Sequence, residues 1–341
     1  MSDRPRAHDH RLDVGGAITQ YEPGELNIDT TSFVQNDGRA NGGALAIWFE
    51  VTTTCTNCLF TGNFVRSVGY GFGSAVVIYE PPGSGETVTV DLTNSTFVAN
   101  NNKASGDLIT LYVQPSSAGD SDVSVTNCIL WDNSPSSDIF GMGEYSIIEG
   151  WTGGGTKSGA DPDFLADAED CDGDGWGTKP CGGGGCPAGS PDLCDYYGDL
   201  RVSCDSPAID TGDNCAIDFD GDGSTSDDVP DDLDGNDRRV NEPGTTDGGN
   251  TDCPVNDVAA PMVDRGAYEF QVDCTVDSDC CTGQVCCDNV CVVGECCDDT
   301  DCTNQFCKTS NHTCVDCLND GDCSPGQCCK RNACTFLCPL P

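Results

Sequence analysis

Two acidic runs hold the side chains best suited to chemistry. Asp170-Cys-Asp172-Gly-Asp174-Gly-Trp and Asp218-Phe-Asp220-Gly-Asp222-Gly place carboxylates at alternate positions of a Gly-rich stretch. A loop of that kind turns alternate side chains toward one point. It can supply the roughly six to eight oxygens that Ca2+ takes. A cation is expected there because crowding so many carboxylates without one costs free energy. The alternative is a solvated acidic loop with no ion. Asp227, Asp228, Asp231, Asp232 and Asp234 follow closely, and either join the second site or stay in water.

Both runs open as D-x-D-x-D-G, the start of an EF-hand loop. Both lack the Glu of the twelfth position, where Cys181 and Val229 stand. The expected ion is therefore a structural Ca2+ in a thrombospondin-type or solenoid-type loop. Its ligands would be Asp170, Asp172 and Asp174 in one site and Asp218, Asp220 and Asp222 in the other.

Cysteine is the second chemically active type, at 27 of 341 residues. Seventeen of them fall in 272–341, where Asp277-Ser-Asp279-Cys280, Asp299-Thr-Asp301-Cys302 and Asp320-Gly-Asp322-Cys323 recur at intervals of 22 and 21. Each has a Cys five or six places earlier and two more after it, so three small units are expected. Units this short have almost no apolar core and need cross-links to fold. Disulfides are the reading. A thiolate zinc cluster is the rival, carried only by Cys314-x-x-Cys317 beside His312, which completes no standard pattern. An oxidising, extracytoplasmic compartment follows from the disulfide reading.

Composition and placement exclude several classes. Fifty-seven acidic residues against 15 basic ones give a formal charge of −42, which opposes nucleic acid and anionic membrane surfaces. No stretch approaches the ~20 apolar residues of a spanning helix. The three His (His8, His10 and His312) stand apart from the repeated region described next, as does every acidic cluster. A polysaccharide lyase needs a Lys or Arg base beside an acidic calcium cluster. Arg39, Arg66 and Lys103 are instead scattered. Met1–His10 has no apolar core, so an export signal is expected upstream, or the chain is a fragment.

The elements that must position these groups are short strands. Four segments align without gaps on their last Asn: 26–36, 53–63, 90–100 and 123–133, at intervals of 27, 37 and 33. Their columns read Leu26/Thr53/Val90/Val123, then Ile28/Cys55/Leu92/Val125, then Phe33/Phe60/Phe97/Leu130. Between them recur Gly15-Gly-Ala-Ile18 and Gly42-Gly-Ala-Leu45, with echoes at 73–76 and at Ser105-Gly-Asp-Leu108. Such a repeat suits a parallel β-solenoid whose coils stack about 4.8 Å apart. Like residues then meet: a Phe column inside, an Asn ladder at a turn, Gly-Gly-Ala at a tight corner. Cys58 and Cys128 would lie two coils apart, about 9–10 Å. That exceeds the ~7 Å reach of a disulfide, so Cys55, Cys58 and Cys128 are expected to stay reduced.

Phe33-Val-Gln-Asn36, Phe60-Thr-Gly-Asn63, Phe97-Val-Ala-Asn100 and Leu130-Trp-Asp-Asn133, together with Gly-Gly-Ala-(Ile/Leu), resemble the polymorphic outer membrane protein repeat over about 120 residues. The resemblance implies a surface-exposed right-handed β-helix, in that family often ahead of an outer-membrane barrel. Asp161-Pro-Asp-Phe164, Gly198-Asp-Leu-Arg201, Ser206-Pro-Ala-Ile-Asp210-Thr-Gly-Asp213, Asp232-Leu-Asp-Gly-Asn236 with Arg238, and Asp264-Arg-Gly-Ala-Tyr-Glu269 resemble the C-terminal end of many secreted bacterial β-helix proteins.

The expectation is thus an all-β chain: a right-handed parallel β-helix followed by a small disulfide-rich, loop-dominated tail. Coils span 1–150, last coils and a cap with acidic insertions 151–271, and cysteine-rich repeats 272–341. A monomeric, calcium-stabilised, non-enzymatic protein of the bacterial cell surface or exterior is expected, contacting a glycan or a surface protein. The alternative is a β-helix polysaccharide lyase or glycoside hydrolase. Trp48, Tyr70, Tyr79 and Trp131 are the aromatics that either face a ligand or serve packing.

Overall fold

The computed structural model describes residues 16–38, 41–48, 51–65, 72–79, 88–102, 110–114, 122–133, 143–153, 155–168, 198–216, 231–238, 240, 242, 248–249 and 262–271. In the tail it describes 280, 284–287, 290–294, 296–297, 306–308, 310, 313–315, 318, 323, 328–330 and 333–335. Chain contacts divide it into two units, 1–240 with 247–270, and 241–246 with 271–341.

In the first unit, successive repeats lie on one another strand for strand, and every pairing between repeats is parallel. The first sheet is Ile18–Gln20, Leu45–Trp48, Val76–Tyr79 and Leu111–Gln114. The second runs Gly24–Asp29, Val51–Thr56, Thr89–Thr93, Asp122–Thr126 and Gly143–Glu144. The third runs Ser32–Val34, Leu59–Thr61, Thr96–Val98, Ile129–Trp131 and Ile147–Ile148. Asp37–Gly38, Phe64–Val65 and Asn101–Asn102 form a fourth.

The register is that of the sequence columns. Leu26, Thr53, Val90 and Val123 are successive partners, as are Ile28, Cys55, Leu92 and Val125. Phe33, Phe60, Phe97 and Leu130 follow suit. The three Phe rings stack at 4.7 and 4.6 Å with interplanar angles of 10° and 1°. Offset rings gain dispersion beyond their area burial, about 0.5–1.5 kcal/mol per pair. The Asn column forms an unbroken amide ladder. Asn36, Asn63 and Asn100 each donate from Nδ2 to Oδ1 of the next Asn at 2.9 Å, ending on Asn133. The same Oδ1 atoms accept the backbone N–H of the preceding Asn at 3.0 Å. Turn donors that no strand could satisfy are thereby paired inside the protein.

Close backbone approach explains Gly-Gly-Ala. A Cβ on Gly43 would stand 1.8 Å from the carbonyl oxygen of Ser74, and Gly42 has φ +62°. The echo at 105–108 is corrected. The partner of Val76 is Leu111, not Leu108, because Leu111-Tyr-Val113 supplies apolar residues two apart to match Val76 and Ile78. A fifth layer at Gly143–Ile148 escaped the alignment, since three places after Ile148 stands Trp151 instead of Asn.

After the fifth layer, Phe164–Ala166 pairs antiparallel with Asp199–Val202. Phe164, Leu200, Val202, Ala208 and Ile209 pack with the outward side chains Leu59, Val98, Ile129 and Ile147 of the third sheet. This second core covers a sheet face that would otherwise meet water.

Among the described residues of the second unit are three antiparallel hairpins: Gln284–Cys287 with Val290–Val293, Phe306–Lys308 with Thr313–Val315, and Cys328–Lys330 with Ala333–Thr335. Disulfides join Cys280–Cys291, Cys287–Cys297, Cys296–Cys307 and Cys323–Cys334. Closing loops of this size stabilises each by about 2–4 kcal/mol. Cys314 is also oxidised, which removes it from any zinc site. The disulfides are consistent with an extracellular setting. Among the described residues no helix is long and apolar enough to cross a membrane.

Candidate functional site

The expected calcium ligands Asp170, Asp172, Asp174, Asp218, Asp220 and Asp222 lie outside the described residues, as do Asp227, Asp228 and Tyr70. Among the described residues no group of three or more His, Cys, Asp or Glu side chains is placed to hold a metal ion. Asp232 has a different task. Its Oδ1 accepts the N–H of Asp234 at 2.9 Å and of Asn236 at 2.8 Å, and its Oδ2 accepts that of Glu269 at 2.9 Å.

The geometry instead builds a buried ionic clamp on one corner of the repeats. Between the second and third sheets stand Thr30, Asn57, Asn94, Asn127 and Tyr145, all with φ between 44° and 54°. Asn tolerates this left-handed conformation better than most residues, which accounts for the second Asn column. Two of them, Asn57 and Asn127, bond to described residues of the 198–270 segment. Asn57 donates to the Asp231 carbonyl at 2.8 Å. Asn127 donates to Asn94 Oδ1 and to the Asp213 carbonyl, each at 3.0 Å.

Arg238 closes the clamp. It is fully buried, and its Nε donates to Asn57 Oδ1 at 3.0 Å. Nη1 donates to the Asp264 carbonyl at 3.3 Å and to Glu269 Oε2 at 3.5 Å. Nη2 donates to the carbonyls of Asn94 and Gly266. Asp264 accepts the N–H groups of Asp210 and Phe270, both at 2.7 Å, and Glu269 accepts that of Asp264 at 2.9 Å. Gly266 has φ +99°, and a Cβ there would meet Thr96 and Ile129 at 2.8 Å, so only Gly fits. Burial pushes the Asp264 carboxyl up to about 7 and raises Glu269 well above the carboxylate range, Asp264 adding to the latter. The residue set of the Asp-Arg-Gly-Ala-Tyr-Glu resemblance thus converges in space. Its acceptors are saturated by backbone, so it holds the fold together and offers no open coordination.

The same segment also forms one wall of a groove. In the strand Asp199–Val202, Leu200 and Val202 point into the second core, so Asp199 and Arg201 point outward. Arg201 Nε donates to Asp199 Oδ1 at 2.8 Å, and Nη2 donates to Oδ2. This pairing holds Asp199 below the usual carboxylate range. Both line a cavity of about 610 Å3 with Gly198, Leu200, Asp234, Tyr268, Val34, Leu59 and Thr61. Burial, then the neighbouring Asp232, raises Asp234. Burial, then Asp234 and Asp199, pushes the Tyr268 phenol up to about 12. Val34 is 46% exposed, and the Thr61 hydroxyl is buried with no hydrogen-bond partner among the described residues. Sequence reasoning missed this groove because its walls are separated by more than 130 positions, and Val34 and Thr61 carry no chemical signal.

Of the aromatics expected either to face a ligand or to pack, Trp48 and Tyr79 pack tilted against each other at 4.2 Å, and Tyr21 stacks on Trp48 at 5.3 Å. Their faces are taken up by neighbouring rings. Trp131 packs against the second core. Asn94, a formal glycosylation acceptor, is fully buried in the corner column and not in the amide ladder, so a glycan has no room there. Cys55, Cys58 and Cys128 are free, buried thiols, and burial pushes Cys128 up to about 12. Scans of family models, curated proteins and solved structures found no match to this chain.

Proposed function

We propose that the chain is a right-handed parallel β-helix with a repeat akin to the polymorphic outer membrane protein type, serving as a non-enzymatic scaffold on a cell surface or in its surroundings. The observation that carries it is the unbroken parallel register of four repeats, with Phe stacked on Phe and Asn bonded to Asn. Stacked repeats give a long, stiff flank suited to repeated contacts with a glycan or a surface protein. The disulfide-bonded tail supports an extracytoplasmic location. The acidic runs at 170–174 and 218–222 remain the proposed calcium loops. Thermal melts with calcium and with chelator test them, and coincident curves would remove the ion. Beads coated with the chain should be retained on immobilised polysaccharide or matrix-protein layers. Passage through every layer tested would defeat the adhesive reading.

One observation favours the second reading, a β-helix glycoside hydrolase. Asp199 and Asp234 share a groove and are shifted in opposite directions, the pattern of a paired acid and base. Against it, both oxygens of Asp199 are engaged by Arg201. Reducing-sugar release from neutral polysaccharides, abolished in Asp234→Asn, would establish the hydrolase. Double-bond formation at 235 nm from pectin or alginate would establish a lyase.

A further inference from the structure

We infer that the groove between the third sheet and the strand Asp199–Val202 is a binding site for a neutral oligosaccharide. The inference rests on the surface-contact reading and gives that contact a place. A sugar ring has an apolar C–H face and a rim of hydroxyls. The groove has the matching parts. The exposed Val34, the partly buried Tyr268 ring and the buried Leu59 form its apolar lining. Arg201, 53% exposed at its side chain, offers donors, while Asp199 and Asp234 offer acceptors. Thr61 also lines the groove, its hydroxyl without a hydrogen-bond partner among the described residues.

Charge narrows the ligand. Two carboxylates line the groove in a chain of net charge −42, which disfavours uronic-acid and sulfated polymers. The Arg201 guanidinium disfavours a cationic peptide. An uncharged, hydroxyl-rich ligand meets neither penalty, and its hydroxyls can both donate to carboxylate oxygens and accept from the guanidinium. The cavity of about 610 Å3 lies within the usual size range of small-ligand sites. Two other polar clusters among the described residues lack this openness: the clamp's carboxylates are filled by backbone N–H groups, and the three repeat thiols are buried.

Calorimetric titration of the full chain with cellohexaose, laminarihexaose, mannohexaose and chitohexaose, against hexagalacturonate, tests the site. Saturable binding of at least one neutral hexaose is expected, and none of the uronic one. Arg201→Gln and Val34→Asp, both at exposed positions, should weaken it about tenfold or more with unchanged melting curves. No saturation by any neutral hexaose up to about 5 mM, equal affinity in both variants, or preference for hexagalacturonate would overturn the inference. Coated beads held on a layer while no hexaose binds would sink the groove and leave the adhesive reading standing. Hexaose binding without bead retention would do the reverse.

Discussion

The Nε of Arg238 donates to the side-chain oxygen of Asn57, 181 positions earlier, at 3.0 Å, with neither side chain open to solvent. One contact ties the 198–270 segment to the second repeat. It places a left-handed corner residue, chosen for backbone reasons, opposite a buried cation.

Arg238→Met should therefore be among the most damaging single changes in the first unit. It leaves Glu269 and Asp264 buried without their cation, and losing one partner of a buried pair costs about 3–5 kcal/mol. Arg201→Met, which breaks an exposed pair, should cost no more than about 1 kcal/mol. Urea midpoints of the two variants check the contrast, and similar losses would mean that Arg238 is not the clamp's centre.

The clamp should make stability depend on pH in an unusual direction for a carboxyl. Asp264 sits at about 7 and Glu269 is also raised, both chiefly by burial. The native state keeps a proton that the unfolded chain releases near pH 4. This contribution is full below about pH 4 and is lost as pH rises to about 7, by up to about 1.4 kcal/mol per pH unit per proton. Relief of the overall negative charge acts in the same sense, so the diagnostic is a difference. Asp264→Asn should flatten the slope of urea midpoint against pH, and parallel slopes would assign the effect elsewhere.

The amide ladder predicts a graded series. Asn100→Ala removes the acceptor of the Asn63 N–H and the donor to the Phe60 carbonyl, inside a buried turn. Each stranded group costs about 1–3 kcal/mol. Asn36→Ala, in the first described layer, strands fewer buried groups and should cost less than half as much. Equal melting temperatures for the two variants would contradict the ladder.

Thr53 is a position where the chain is not at its optimum. It stands in an otherwise apolar column with Leu26, Val90 and Val123, fully buried, and its hydroxyl has no partner among the described residues. Thr53→Val should raise stability by about 1 kcal/mol, read as a higher melting temperature.

Thiol chemistry offers a check on the stacking itself. Cys55, Cys58 and Cys128 should not react with an aromatic disulfide reagent in the native state, since burial keeps Cys128 near 12 and raises Cys55 too. After denaturation without reductant, at least these three should titrate. Finding no free thiol would contradict the reduced state of these three, and with it the two-layer separation of Cys58 from Cys128.

Much of the first unit was legible in the chain because stacking is a local rule repeated. A column of Phe33, Phe60 and Phe97 needs only like residues at like places, and hydrophobic alternation fixes which face they take. The tail was legible for a similar reason: Cys spacing in a segment too small for a core leaves cross-linking as its means of folding. The layer at Gly143–Ile148 and the slip from Leu108 to Leu111 were not, since loops of unequal length shift a register that only backbone pairing settles. The clamp and the groove belong wholly to the tertiary structure. Asp232 and Asp264 look in sequence like any other acid of a highly acidic chain. They become structural because folding removes their water and substitutes backbone N–H groups and Arg238. Val34 and Tyr268 become neighbours for the same cause: a segment more than 100 residues downstream folds back over a sheet face that could not stay bare.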